Sequence, residues 1–288
     1  MRRRSPEAGQ GSGLLSGMIK GGYPVIHYNQ FIMAESLEQA YELNQKKSAV
    51  ICGGFCWLRL QNRTVQTMID VSGLGLDKIE ETEDEFEIGS MVSLRKLETH
   101  RGFQAWTRGA GADSLRHIVG TQFRNCATAG GSIYGRFGFS DVLTLFLALD
   151  AQVKLFKGGV LSLRDFLDRK EDGDILISIL VKKGQAFAAY ESMRNEAVDF
   201  PVLTAAVCLR DGRFTIAVGA RPGKARVVSV PAAELSGEKI ERAEAVKALT
   251  EKFTYGTNMR ASAEYRKYLA GVLVSRCLDR IEADRKEA

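Results

Sequence analysis

The sequence predicts an α+β protein in three parts: two N-terminal subdomains followed by a unit of antiparallel strands and helices. Three observations carry this. The short apolar stretch Ser48-Ala49-Val50-Ile51-Cys52 runs straight into Gly53-Gly54 between a helical pattern and another strand, as in a small parallel sheet with its loop at a strand's C-terminal end. From Leu76 onward, strand-like and helical stretches surround a second glycine pair, Gly130-Gly131, which precedes the apolar run Val142–Leu149. Beyond Gln185 the glycine-rich loops give way to a hairpin pattern and two helical stretches. The expected boundaries are 18–183 for the first domain, with subdomains at about 18–75 and 76–183, and 184–288 for the second. Residues 1–17 read as a disordered extension or expression remnant before a start at Met18, because Arg2-Arg3-Arg4 leads into Gly, Ser and Gln rather than the apolar core of a signal peptide.

Each element follows from its local pattern. After an extended piece around Tyr28, Ser36-Leu37-Glu38-Gln39 has capping-box spacing and opens a helix to about Lys47, with Leu37, Ala40, Tyr41 and Leu43 inward. Strands are expected at 48–52 and at Thr67–Val71, the latter bounded by Ser72-Gly73. Glu85–Gly89 alternates polar and apolar like a half-buried strand, Ser93–Leu97 starts a helix, and Asp113–Ile118 is helical. A glycine loop at Thr128–Ile133 leads to Ser140, a natural N-cap for a buried helix over the apolar run. Gln152–Lys157 and Asp174–Leu180 are strands, the first ending in a Gly158-Gly159 turn. Gln185–Tyr190 is a strand, Val202–Arg210 and Arg213–Ala220 pair around Asp211-Gly212, and helices follow at Lys239–Phe253 and Ser262–Ala283. In the last helix Tyr265, Leu269, Val272, Leu273 and Cys277 share the inward side.

Composition narrows the function. With 288 residues, 45% hydrophobic and 26% charged, the chain can bury a sizeable core, and a net charge of +5 is too weak to support nucleic-acid binding. No apolar run reaches the roughly eighteen residues of a membrane span, so an integral membrane protein is not expected. The five cysteines, Cys52, Cys56, Cys126, Cys208 and Cys277, have neither zinc nor iron–sulfur spacing; reduced thiols in a cytoplasmic protein are the expected state. His27, His100 and His117 are scattered, with no partner for a Ser/His/Asp or Cys/His mechanism.

The two glycine pairs carry the chemistry. Backbone N–H groups without flanking Cβ atoms allow a bulky anion such as a pyrophosphate to lie against the main chain, and a following helix start favours negative charge. Neither pair has dinucleotide-fold G-x-G-x-x-G spacing, and no phosphate-loop G-x-x-x-x-G-K-[ST] occurs, so a nucleotide held here is held by another fold. Cys52-Gly53-Gly54-Phe55-Cys56-Trp57-Leu58 resembles an A-G-G-T-D-L-L loop, and Thr128-Ala129-Gly130-Gly131-Ser132-Ile133 with Ser140-Asp141 resembles T-I-G-G-N-I…S-D. Both loops belong to the FAD-binding medium subunit of molybdenum hydroxylases, the xanthine dehydrogenase and carbon monoxide dehydrogenase group. Ala261–Val274 is similar to that subunit's closing helix, and the three motifs stand in the family's order from about Val25 to Arg280.

The resemblance implies a two-subdomain FAD-binding domain of the vanillyl-alcohol-oxidase-like type, then a C-terminal domain of the CO dehydrogenase flavoprotein type. It implies FAD between the subdomains, with its pyrophosphate on the backbone of Gly53, Gly54, Phe55, Cys56, Trp57 and Leu58. It gives Thr128 a hydroxyl contact, Gly130 and Gly131 close backbone approach, Ser132 a polar contact, Asp141 the adenosine side, Ile118 a place near the flavin ring and Leu176 one against it. The other reading of Asp141 is an acid favouring a helix N-terminus, while Trp57, Ile118 and Leu176 read equally as core.

Four departures stand out. Phe55 and Cys56 replace Thr-Asp, and Ser132 replaces Asn. Tyr134–Phe139 brings aromatics and Arg136 in place of small residues. Glu191 falls where the family often has a lysine near the flavin pyrimidine, with Arg194 as the alternative source of charge.

The function so implied is an electron-transfer subunit without metal ligands or a catalytic residue of its own. Its partners would be a molybdopterin-binding large subunit and a two-iron two-sulfur small subunit, and NAD or a quinone would accept the electrons. Two other readings stand beside it. One is a scaffold that has lost its flavin. The other is a self-sufficient flavoprotein oxidoreductase, for which Tyr134 or Glu191 is the nearest acid or base.

Overall fold

The computed structural model describes residues 26–235 and 239–288. The readings for residues 1–17, Met18 and the stretch from Tyr23 to Val25 lie outside the described residues. The first unit comprises β1 (His27–Met33), α1 (Leu37–Asn44), β2 (Ala49–Cys52) and β3 (Thr64–Asp70). Ser36 caps α1 by accepting from the Gln39 amide at 3.1 Å, while Gln39 Oε1 accepts from the Glu35 amide at 2.7 Å. That pair of bonds lets the chain turn off the sheet and return. The sheet order is β1-β3-β2 and both pairings are parallel, so the connections after β2 and β3 emerge at one end. The first glycine turn is the connection after β2.

The second unit contains β4 (Ile79–Glu81), β5 (Glu85–Gly89), α2 (Leu94–Glu98), α3 (Arg101–Trp106), α4 (Ala110–Leu115), α5 (Thr121–Cys126), α6 (Ala129–Tyr134) and α7 (Asp141–Ala148). It continues with β6 (Gln152–Leu155), β7 (Gly159–Ser162), α8 (Leu163–Asp168) and β8 (Leu176–Lys182). Its strands form an antiparallel sheet ordered β4-β5-β8-β6-β7. The stretch expected to be helical at Asp113–Ile118 begins and ends three residues earlier. The second glycine stretch is not a loop: Ala129–Tyr134 is helical, with the Thr128 hydroxyl capping it by accepting from the Gly131 amide at 3.1 Å. The Thr128 cap is joined by tertiary bonds, since the first two amides of the turn donate to Val92 O and Ser90 O.

The third unit is β9 (Ala186–Arg194), β10 (Pro201–Arg210), β11 (Arg213–Gly219), β12 (Arg226–Pro231), α9 (Lys239–Thr250) and α10 (Ala263–Glu287). Its antiparallel sheet runs β12-β11-β10-β9, and Asp211 and Gly212 both take positive φ at the β10–β11 turn, as a tight hairpin requires. One sheet face packs on α9 and α10 through Val207, Ile216, Leu273 and Cys277. The other packs on α7, every residue of which is buried. Helix α7 is therefore apolar all round because it lies between two sheets, with Val153 and Ile179 in the same core as Ala206 and Ala217. Thr144 satisfies its hydroxyl in that core against Ser140 O and, at 2.9 Å, Thr204 Oγ1.

Helix α10 is rotated from the face expected of it. Tyr265 is exposed and Val272 half-buried, whereas Arg266 is fully buried together with Leu269, Leu273 and Cys277. The Arg266 guanidinium bonds Val202 O, Gly256 O, Ala261 O and Asn258 Oδ1 at 2.6–2.9 Å. Those acceptors draw a polar side chain inward where an apolar stripe places Tyr265.

Candidate functional site

The turn after β2, the starts of α6 and α7, and the segment before β10 enclose a cleft of about 730 Å³, within the size range of small-molecule and cofactor pockets. The two glycine pairs meet at its floor. A Cβ on Gly54 would stand 1.7 Å from Cys126 O, and one on Gly53 would stand 3.1 Å from Thr128 Oγ1. Glycine is therefore required at 54 by close backbone approach. Phe55 follows with φ +63°, a left-handed conformation that turns the chain sharply after the glycines.

The amides of the two turns are used differently. Among the described residues, those of Gly53, Gly54, Phe55, Cys56 and Trp57 donate to no protein acceptor. Those at the start of α6 are committed: Ala129 N donates to Val92 O at 2.8 Å, Gly130 N to Ser90 O at 2.9 Å, and Gly131 N to Thr128 Oγ1. Of the two glycine stretches, it is the first that offers open backbone donors to an anion. Gly130 serves packing, since a Cβ there would meet Ser90 at 2.5 Å. Thr128 accepts one bond and retains a hydroxyl proton to donate, whereas Ser132 spends its proton on Thr128 O at 2.9 Å.

Every residue expected to touch the cofactor lines this one cleft: Gly53 through Leu58, Ile118, Thr128, Gly130, Gly131, Ser132, Asp141 and Leu176. Trp57 lies among aromatic rings, 5.7 Å from Phe137, 5.3 Å from Phe139 and 5.5 Å from Phe200 between centroids. Phe200, with Val198 and Asp199, closes the cleft from the third unit. Nothing local in the sequence marks these three, because they reach the cleft only through the packing of β9 and β10 on α7. Arg136 is not a lining residue; it bonds Arg169 O at 2.7 Å and lies over the Phe166 ring.

Asp141 is buried at the start of α7, and its Oδ1 accepts from the Tyr190 hydroxyl and from Arg194 Nη2. Burial pushes its carboxyl up, against the pull of Arg194 and Tyr190, and pushes the Tyr190 phenol well above its ordinary value. The Arg194 charge is thereby compensated, so Arg194 is no free cation for a flavin pyrimidine. Glu191 alternates onto the other face of β9, the side of Ala189 and Cys277, and does not line the cleft. Tyr134 does line it, but burial pushes its phenol up, away from the range useful for proton transfer at neutral pH. Neither acid-base candidate of a self-sufficient enzyme is therefore suitably placed or tuned. All five thiols are free, with Cys52 and Cys208 pushed up to about 12 by burial.

Comparison with known proteins adds to this geometry. Residues 27–181 match the family described as the FAD binding domain in molybdopterin dehydrogenase, and residues 188–281 match the CO dehydrogenase flavoprotein C-terminal domain. The protein YgfM of Escherichia coli (strain K12) is 30% identical over 252 residues, covering 85% of this chain and 93% of that protein. The nicotine 6-hydroxylase medium subunit of Paenarthrobacter nicotinovorans is 28% identical over 269 residues, covering 84% and 93%. Among solved structures, a chain of the Cu,Mo-CO dehydrogenase superposes with a TM-score of 0.79 at 21% identity, covering 90% of this chain and 99% of the other, a likeness that shows the fold.

Proposed function

The chain belongs to the FAD-binding medium subunits of the molybdenum hydroxylase family, and from that premise we propose that it carries electrons between an iron–sulfur partner subunit and a soluble or membrane acceptor such as NAD or a quinone. The observation that carries this reading is the run of unbonded amides from Gly53 to Trp57 along a cleft of cofactor size. Bound there, FAD supplies a carrier that joins one-electron donors to two-electron acceptors. The chain's own part is to bind and to shield. The first-turn amides hold the diphosphate, and the tight Gly54–Cys126 approach keeps them in place. Thr128 donates its hydroxyl proton toward the cofactor, and Ile118 and Leu176 give apolar walls that exclude water from the ring system. No side chain of this cleft has to take or deliver a proton in that role.

The rest of the proposed assembly is a large subunit with molybdopterin, where substrate is oxidised, and a small subunit with two-iron two-sulfur clusters. Support comes from the relative named as a medium subunit. The proposed domain division is 18–183 for the FAD-binding part and 184–288 for the C-terminal part, and a cytoplasmic location goes with both. Purification of the chain from its native cell tests the reading. Molybdenum- and iron-bearing chains should accompany it, with a flavin absorption spectrum; recovery of a flavin-loaded single chain that a small substrate reduces directly would overturn it.

A further inference from the structure

Five side chains in the cleft, an arginine and four aromatic rings, have a chemistry that the diphosphate does not use. The Arg194 side chain is 93% buried, lines the cleft, and spends Nη1 on Asp199 O at 2.6 Å and Nη2 on Asp141. Its Nε has no partner. A buried donor left unmet is costly, and an acceptor on a ligand would satisfy it. Beside it stands an aromatic wall. Phe137 and Phe139 stack at 5.2 Å, Phe139 and Phe200 lie 4.6 Å apart, and Trp57 touches all three. All four rings line the cleft and are only half-buried. The wall and the arginine are contiguous, since Arg194 bonds the carbonyl of Asp199, the residue before Phe200. Trp57 in turn carries one of the open amides, so the wall adjoins the proposed diphosphate site.

π-faces with one neutral-acceptor-seeking donor suit a planar heterocycle with ring nitrogens, and not a second anion, whose charge would require several free donors. We propose that Trp57, Phe137, Phe139, Phe200 and Arg194 Nε form the subsite for the purine ring of the dinucleotide, and that Asp141 acts through Arg194 as a positioning residue. This rests on the FAD reading above. It departs from the role in which Asp141 itself receives the adenosine, because the Oδ1 of that carboxylate is already shared by Arg194 and Tyr190.

The test uses the full chain freed of flavin, titrated with ADP, FMN and FAD by calorimetry, with thermal melts to confirm folding. ADP should bind and displace FAD. Phe139→Leu should raise the Kd of ADP and FAD about tenfold, the scale of one base–aromatic stack, and leave the Kd of FMN unchanged. Arg194→Lys keeps a cation beside Asp141 but has no Nε, and should produce the same selective loss. In a Trp106→Phe background, where Trp57 is the one remaining tryptophan, ADP should quench its emission. Failure of ADP to compete with FAD overturns the proposal. So does a loss shared equally by FMN, or unchanged affinity for all three ligands in both variants. A wild-type chain that binds none of the three ligands would instead overturn the FAD reading, and this subsite with it.

Discussion

Gly54 sits where a methyl group cannot, since a Cβ there would stand 1.7 Å from the backbone oxygen of Cys126. Gly54→Ala should therefore cost about 1–3 kcal/mol of stability and release FAD, as melts and flavin absorbance will show. Gly131→Ala meets only the Thr128 hydroxyl, at 3.0 Å, and should do much less. The sequence marked both glycine pairs but could not rank them, because the atom that Gly54 meets lies 72 residues onward, at Cys126. The same holds at Asp141. Its place before an apolar helix is legible, whereas its partners Tyr190 and Arg194 come from another sheet. Asp141→Ala would leave the Arg194 charge buried alone, and should lower stability by about 3–5 kcal/mol, so it is a poor probe of ligand contact. Cys208 offers a test by pH. Burial lifts its folded pKa to about 12, above the ordinary thiol value. Its contribution to stability is complete below that ordinary value, about 8.5, and is lost as pH rises toward 12. Urea melts should weaken between about pH 8 and 10.5, and Cys208→Ala should flatten that decline.

At the scale of elements, the strands and caps were readable because each depends on neighbours in sequence. Ser36 and Ser140 cap the helices expected of them, and Asp211-Gly212 makes the expected hairpin turn. Ser140→Ala should cost about 1–2 kcal/mol, measurable in the urea midpoint with an unchanged slope, since it frees the Leu143 amide that the hydroxyl accepts from and the Ser132 carbonyl that it donates to. Helix α6 is not legible in its own sequence because two glycines oppose a helix locally; tertiary bonds donated by its first amides to Val92 O and Ser90 O override that preference. The face of α10 departs from its apolar periodicity for a related reason. Periodicity counts apolar residues, and Arg266 is buried for its hydrogen bonds.

For the molecule as a whole, the three-part architecture and the meeting of two distant glycine pairs were both legible, the second only through a resemblance, since spacing alone does not bring residues 53 and 128 together. What sequence could not supply was the third unit's share of the cleft, built by Phe200 and Arg194 across the α7 layer. A ligand at that junction binds the folded chain and not the unfolded one, so FAD at about a hundred times its Kd should stabilise by about 2.7 kcal/mol and raise the melting temperature. The most direct measurement is the stoichiometry of FAD on the purified full chain, read by flavin absorbance after dialysis against excess FAD, for the wild type and Gly54→Ala side by side. One FAD per wild-type chain, with little on the variant, is the result expected of a diphosphate held by the amides of the first turn. A folded wild-type chain that takes up no flavin, or a variant that retains a full equivalent, would contradict it.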